Sequence, residues 1–205
     1  MALSADLTPA GQGRVQWRRF AAIILPAIVV AAVLVVLTAQ SVLAVSFSIS
    51  GIPFEVTAKQ LRGQGFEQFG VLDTSVIKDL PGNSNEIVLT ANAIRYASIT
   101  DLCQSVTIGG LTLIITAGYG STPVSATDLV VDADRLSGST ASFTHISIGQ
   151  DASTLTEVPG IRGPAGDFAQ QAATITIDNL RQHAYATTAG TFTLPGFSLH
   201  FGGSC

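Results

Sequence analysis

The chain has 205 residues, of which 47% are apolar and only 12% charged, and its formal net charge at pH 7 is −4. This length accommodates one domain of ordinary size and an additional N-terminal segment. Seven basic and thirteen acidic residues follow position 44, a net charge of −6, which excludes nucleic acid as a partner because phosphate binding requires a basic surface.

The N-terminal part of the chain has the pattern of a membrane anchor. A basic tail, residues 1–19, precedes an uninterrupted apolar run from Phe20 to Leu37, and roughly 17–25 apolar residues span a bilayer as a helix. The positive-inside rule then places the N-terminus in the cytoplasm. We predict a single-pass anchor over residues 20–44, flanked on its cytoplasmic side by residues of the types common there: Arg14, Trp17, Arg18 and Arg19.

A cleavable secretory signal is the alternative interpretation of the same segment. Val42-Leu43-Ala44 resembles a small-residue cleavage site, and signal peptides also begin with a basic region. Their apolar cores are usually about 7–15 residues long, which is shorter than this run. The length therefore favours an anchor in the cell membrane, with the C-terminal domain outside the cytoplasm.

Residues 45–205 show the two-residue alternation of half-buried β-strands. It begins directly after the anchor at Val45, Phe47 and Ile49, so we expect almost no linker and a domain held close to the membrane surface. Glycine and proline separate the strands, as in Gly109-Gly110. Only Pro164–Ala173 has a helical pattern, so the predicted fold class is mainly β: an all-β extracytoplasmic domain with one short helix.

A weak internal repeat divides this domain into four similar segments. They start at Val56, Leu89, Val131 and Ile175, and each has a second apolar residue five positions later. The spacing lies in the range of stacked repeat units, but an ordinary β-sandwich produces the same pattern. The sequence leaves both architectures open, a sandwich or repeat-like stacked β-structure.

The chain has two cysteines, Cys103 and Cys205. Two thiols in one exported domain usually pair, because that compartment is oxidising. We therefore predict a structural disulfide between the middle of the domain and its C-terminus. Neither cysteine lies directly after the apolar run, where lipidation would require one, and two distant cysteines are too few for a metal site.

Motifs that carry catalytic chemistry are not evident. A Gly-x-Ser-x-Gly nucleophile turn does not occur, and His145, His183 and His200 lack the spacing of a zinc site. Asp128, Asp132 and Asp134 alternate with apolar residues, which predicts a solvated strand face and not a calcium loop. We predict no catalytic residue, no metal and no cofactor, and hence no enzyme.

Several segments together resemble one family: residues 18–70, "LCQSV" at 102–106, "FAQQAATITIDNLRQHAYATTAGTF" at 168–192, and the terminal cysteine. The chain is similar there to actinobacterial membrane-anchored proteins of unknown function, some of which carry the label cholesterol esterase. The resemblance implies a Gram-positive envelope and one anchor followed by one β-rich outer domain. It implies no catalytic residues.

Three functions remain open. The first is a non-catalytic envelope protein whose β-domain assembles as a homo-oligomer or with a membrane protein, with the bilayer as its other partner. The second is a module that binds lipid or another apolar ligand, since the outer domain has many phenylalanines that are equally explained as core. The third is a lipid ester hydrolase that uses an outer serine with His145, His183 or His200.

Overall fold

The computed structural model of the chain describes residues 48–49, 51–75 and 86–205, together with the single position 24. Contacts divide the chain into Met1–Ser41 and Val42–Cys205, and every described strand belongs to the second unit. Apart from position 24, the predicted tail, anchor and cleavage-like site lie outside the described residues. Within the described ranges, no helix has the length and apolar character needed to cross a membrane.

The described domain is mainly β, as predicted. Its strands form one eleven-stranded sheet, antiparallel except where β1 joins β2. Their bounds are β1 Ser48–Ile49, β2 Phe54–Ser75, β3 Glu86–Thr100, β4 Leu102–Ile108, β5 Leu111–Ala117, β6 Val124–Ser137, β7 Thr140–Thr144, β8 Ser147–Asp151, β9 Phe168–Thr188, β10 Thr191–Thr193 and β11 Ser198–Phe201.

Four long strands close into a ring. β2 pairs with β3, β3 with β6, β6 with β9, and β9 returns to pair with β2. One edge of β9 pairs in succession with β6, β7 and β8, which lie end to end. The first part of β6 pairs with β10, the strand that follows β9. The four repeated segments of the sequence overlap β2, β3, β6 and β9, so each contributes one strand of this ring.

Residues in a left-handed backbone conformation lie within these long strands or directly after one of them. Asp101, Asp128 and Asn179 have φ angles of 54°, 48° and 50°, a region that aspartate and asparagine tolerate better than other non-glycine residues. Each interrupts the alternation by one position. Ile177 and Leu180, on either side of Asn179, are therefore both buried in the interior core, and the strand keeps its apolar face inward beyond this position.

Two apolar cores lie on opposite sides of the ring wall. The interior core includes Phe66, Ile94 and Ile175, which close over Gly63; a Cβ at position 63 would lie 2.7 Å from Ile94 Cγ2. The outer core lies where Phe69 and Leu89 are covered by the β8–β9 connection through Ala152, Leu155 and Val158. The β-domain is thus a closed ring with one additional covering segment.

The helix predicted for Pro164–Ala173 is wrong. β9 begins at Phe168, and a 3₁₀ turn, Ala152–Thr154, is the longest helical element among the described residues of the domain. Ala169 and Ala172 are both fully buried in the two cores, and this part of β9 pairs with β2. Long-range strand pairing therefore overrides the local helical preference of an alanine- and glutamine-rich segment.

Candidate functional site

β4, β5 and β11 form a three-stranded extension of the sheet, which we call the wing (residues 102–117 and 198–201). Gly109 and Gly110, with φ angles of 59° and 84°, make the two-residue turn between β4 and β5. Positive φ at both positions is the geometry of the type I′ hairpin turn, which glycine adopts without steric cost. β11 pairs with β5 and is the last strand on this side among those that the structure describes.

One face of the wing is apolar and exposed. Leu199 and Phe201 of β11 lie opposite Ile115 and Leu113 of β5, which are half-buried. Five apolar side chains on or beside this face have between 50% and 67% of their surface exposed: Ile108, Leu111, Phe197, Leu199 and Phe201. Single exposed apolar residues are ordinary on protein surfaces, whereas a contiguous group of this kind marks an interaction site.

The opposite face of the wing is covered by the C-terminus. The N–H of Gly202 donates to the carbonyl of Thr112 at 2.9 Å, and Ile114 and Ser105 are buried. The predicted disulfide between Cys103 and Cys205 is confirmed, with the two Cα atoms 5.7 Å apart. The bridge therefore fastens the last residues of the chain to β4, while the apolar face on the other side stays open.

The interior of the ring holds a narrow cavity of about 40 Å³. Its walls are mostly core side chains, with Asn92, Gln104, Gln182 and Thr187 as polar members. A bound water needs ~10–15 Å³, whereas pockets for drug-sized ligands measure ~300–1,000 Å³. The cavity therefore accommodates water but not a lipid.

A row of side-chain amides crosses the ring at one end, and we call it the amide row. Gln170 Nε2 donates to Gln68 Oε1, and Gln68 Nε2 donates to Asn92 Oδ1. Asn92 Nδ2 continues the row by donating to the carbonyl of Val131 at 3.1 Å. These contacts link all four ring strands and fix their register, because buried amides are costly unless they are paired.

Three carboxyl groups are buried in the described domain: those of Glu67, Asp73 and Asp132. Glu67 is fully buried; its Oε1 accepts from the N–H of Val158 at 2.8 Å, and Oε2 has no hydrogen-bond partner among the described residues. Burial raises its pKa from 4.5 to about 7, against the opposing effect of the Val158 N–H. Burial, with a smaller contribution from the nearby charge of Asp73, likewise raises the pKa of Asp132 to about 7.

The prediction that the aspartates of residues 128–134 share a solvated strand face is therefore wrong for Asp132. This residue is only 1% exposed, because its strand position faces the outer core, on the same side as Val130. Asp134 lies on the solvent side, and its Oδ1 is 2.7 Å from Nδ1 of His183. The ring of His183 also packs edge-on against Tyr185, with centroids 5.6 Å apart.

The three histidines lie on separate elements of the domain. His145 occupies the bend between β7 and β8 with a φ of 50°, His183 pairs with Arg135 in the ring, and His200 lies on β11. Among the described residues, no serine hydroxyl is hydrogen-bonded to His183, and no group of three or more histidine, cysteine or acidic side chains is placed to hold a metal ion.

The anchor flank, Arg14, Trp17, Arg18 and Arg19, lies outside the described residues. The feature that was not predicted from the sequence is the apolar face of the wing. Leu199 and Phe201 alternate with polar neighbours just as core residues do. The pattern therefore predicts that their side chains are buried on one face of a strand, whereas both are exposed. The available signal was their position in a short strand close to Cys205, one of the two cysteines predicted to pair.

Comparison with known families gives one match. A family described as "Family of unknown function (DUF6230)" matches residues 50–205, which is most of the chain and all of the described domain except β1. No curated protein and no solved structure shows significant similarity to the chain.

Proposed function

The chain belongs to the DUF6230 family of unknown function, and we propose that it is a non-catalytic, membrane-anchored envelope protein that assembles with a second copy of itself through the wing. The observation that carries the proposal is the exposed apolar face of β5 and β11. It is held on a sheet whose other face is fastened by the Cys103–Cys205 disulfide. A preorganised apolar surface loses little conformational entropy when a partner covers it.

The edge of the wing supports a second copy as the occupant. β11 is the last described strand of the sheet on this side, and Ser198–Phe201 contains neither lysine nor proline, the residues that commonly protect an edge strand. Antiparallel pairing of two β11 strands about a two-fold axis would join two apolar faces into one surface. A membrane protein with a matching edge strand is the alternative partner.

The location rests on two further features. The apolar run over residues 20–44 has the length of a bilayer span and a basic cytoplasmic flank. The disulfide supports an oxidising compartment outside the cytoplasm. The resemblance noted in the sequence adds an actinobacterial envelope to this proposal.

The test is the oligomeric state of the full-length chain in mild detergent, measured by light scattering after size exclusion. We expect a dimer for the unchanged chain and a monomer for the double variant L199S/F201S, because the serines remove the apolar surface that the partner covers. The matched control L72S/V88S changes two exposed apolar residues outside the wing and should remain dimeric. An unchanged chain that runs as a monomer and crosslinks to no partner in cells would overturn the proposal.

Binding of lipid is the second candidate, favoured by the same exposed face. The cavity inside the ring is too small for an acyl chain, so a lipid would lie on the wing. Lipid extracted from the purified chain in stoichiometric amount, and absent from L199S/F201S, would favour this candidate over assembly.

Ester hydrolysis is the third candidate, and the contact between Asp134 and His183 is the feature in its favour. A carboxylate that orients a histidine supplies two of the three members of a serine hydrolase triad. Labelling of the chain by a serine-directed fluorophosphonate, abolished in H183A, would support hydrolysis and count against a purely structural protein.

A further inference from the structure

A second exposed apolar surface lies at the end of the ring beyond the amide row, and we call it the tip patch (Leu72, Val88, Ile148 and Phe168). These four side chains have between 56% and 74% of their surface exposed. Leu72 and Val88 are directly paired across β2 and β3. Ile148 pairs with Gln170 of the amide row, and Phe168 lies two residues before Gln170.

The chain enters the described domain at this same end. β1, Ser48–Ile49, pairs in parallel with Thr74–Ser75, two residues beyond Leu72. Ala44, the last residue of the predicted anchor, is four residues before Ser48. An extended chain spans at most ~3.3–3.6 Å per residue, so these four residues reach about 14 Å at most.

We infer that the tip patch rests on the bilayer surface and inserts its apolar side chains among the lipid headgroups. This inference depends on the anchor of the proposed function, but not on assembly through the wing. A domain tied within this distance of the bilayer has little freedom to turn the patch away. Burial of exposed apolar side chains at the interface is the favourable contribution.

The charges beside the tip patch indicate which lipid headgroups it would contact. Glu86 pairs with Thr74, Asp151 pairs with Phe168, and Asp167 precedes Phe168; all three carboxylates are exposed. A hydrogen bond from the Ser153 hydroxyl, followed by those from the N–H groups of Ser153 and Gly166, lowers the pKa of Asp151, which is ionised at neutral pH. Contact therefore depends on apolar burial and not on attraction to anionic headgroups, so it should be strongest on neutral lipid and insensitive to salt.

The experiment uses the full chain reconstituted in phosphatidylcholine vesicles, half of which contain lipid brominated on the acyl chain near the headgroup. Trp17 is the single tryptophan, so W17F provides a background without indole. W17F/F168W places an indole in the tip patch, and W17F/F201W places one in the wing. Phe168 and Phe201 are 64% and 67% exposed, which makes the two variants a matched pair.

We expect brominated lipid to quench the indole at 168 several-fold more strongly than the indole at 201, and the emission at 168 to be blue-shifted. A blue shift at 201 without quenching is the result that the proposed assembly predicts, because the partner covers the wing. Equal quenching, or no quenching at 168, would overturn the inference. A blue shift at 168 without quenching would place a protein surface there and also overturn it. Loss of the dimer in L199S/F201S with unchanged quenching at 168 would show that membrane contact does not depend on the proposed assembly. Failure of the chain to remain with the vesicles would contradict the proposed anchor, and the contact of the tip patch with the bilayer would be overturned with it.

Discussion

Glu67 joins the ring to the segment that covers the outer core. Its carboxyl group accepts from the N–H of Val158, although the side chain has no exposed surface. A carboxyl group in such a place is tolerated best in its neutral form, because burial penalises the charge. The same penalty raises the pKa of Glu67 to about 7.

The free energy of unfolding should therefore depend on pH through Glu67. The folded state holds the proton up to about pH 7, while the unfolded chain releases it near 4.5. Stability from this group is fully present below pH 4.5 and falls as the pH rises to about 7, then stays level. The total loss is about 3 kcal/mol, since one pKa unit corresponds to about 1.4 kcal/mol.

E67Q tests this dependence, because glutamine keeps the shape and the acceptor for Val158 but cannot ionise. We expect E67Q to be about 3 kcal/mol more stable than the unchanged chain at pH 8 and equal to it near pH 4. Urea unfolding across this pH range measures the difference in free energy of unfolding between the two proteins. The contribution of Asp132 is present in both and cancels in this difference. A constant difference at all pH values would show that Glu67 is ionised in the folded protein.

The strand elements were largely predictable, because alternation and turn residues are local signals. Gly109-Gly110 marked the β4–β5 turn, and Leu111, Leu113 and Ile115 marked β5. Burial was harder to predict, because it depends on contacts with distant parts of the chain that local signals do not record. Asp132 and Phe201 alternate with their neighbours in the ordinary way, yet one is buried and the other exposed, since the covering segment belongs to a distant part of the chain.

The wing depends on its disulfide more than the ring does. β11 has four residues, β5 is its one partner among the described strands, and Cys205 follows it closely. The bridge closes a loop with a sequence separation of 102. A loop of this length is worth up to ~4.7 kcal/mol in the chain-entropy model, and loss of a native bridge commonly costs about 2–5 kcal/mol.

The double variant C103S/C205S should therefore unfold with a free energy lower by about 2–5 kcal/mol. Amide hydrogen exchange should accelerate most in β11 and least in β9, because β9 is paired along both of its edges within the ring. Reducing agent should reproduce both effects in the unchanged chain and have none in the variant. Unchanged exchange in β11 would show that its pairing with β5 is sufficient without the bridge.

Closure of the ring could not be predicted from the sequence. It depends on the pairing of β2 with β9, where Phe54 lies opposite Ala184 and Phe69 opposite Ala169. No local pattern records contacts between residues so distant along the chain. The repeat of four segments was the nearest signal, and it predicted four equivalent strands without indicating that the last returns to the first.

At the scale of the whole molecule, the two apolar surfaces lie at opposite ends of β2. The wing joins β2 at Glu55–Thr57 through β4, and the tip patch lies near Ser75, where β1 pairs. Assembly through the wing and membrane contact through the tip patch therefore use separate residues, and β1 connects the tip patch to the proposed anchor.

This arrangement predicts that the connection between anchor and domain resists proteases. Ser48 and Ile49 are held in the sheet by Thr74 and Ser75, and proteases cleave extended segments that are free of such pairing. Digestion of right-side-out membranes with a nonspecific protease should leave the segment from Ala44 to Gly51 intact, whereas the exposed turn at Tyr119–Thr122 serves as the internal control for cleavage. Release of the β-domain by a cut between Ala44 and Gly51 would show that the domain is carried on an open linker, and the tip patch would then lose the tether that holds it against the bilayer.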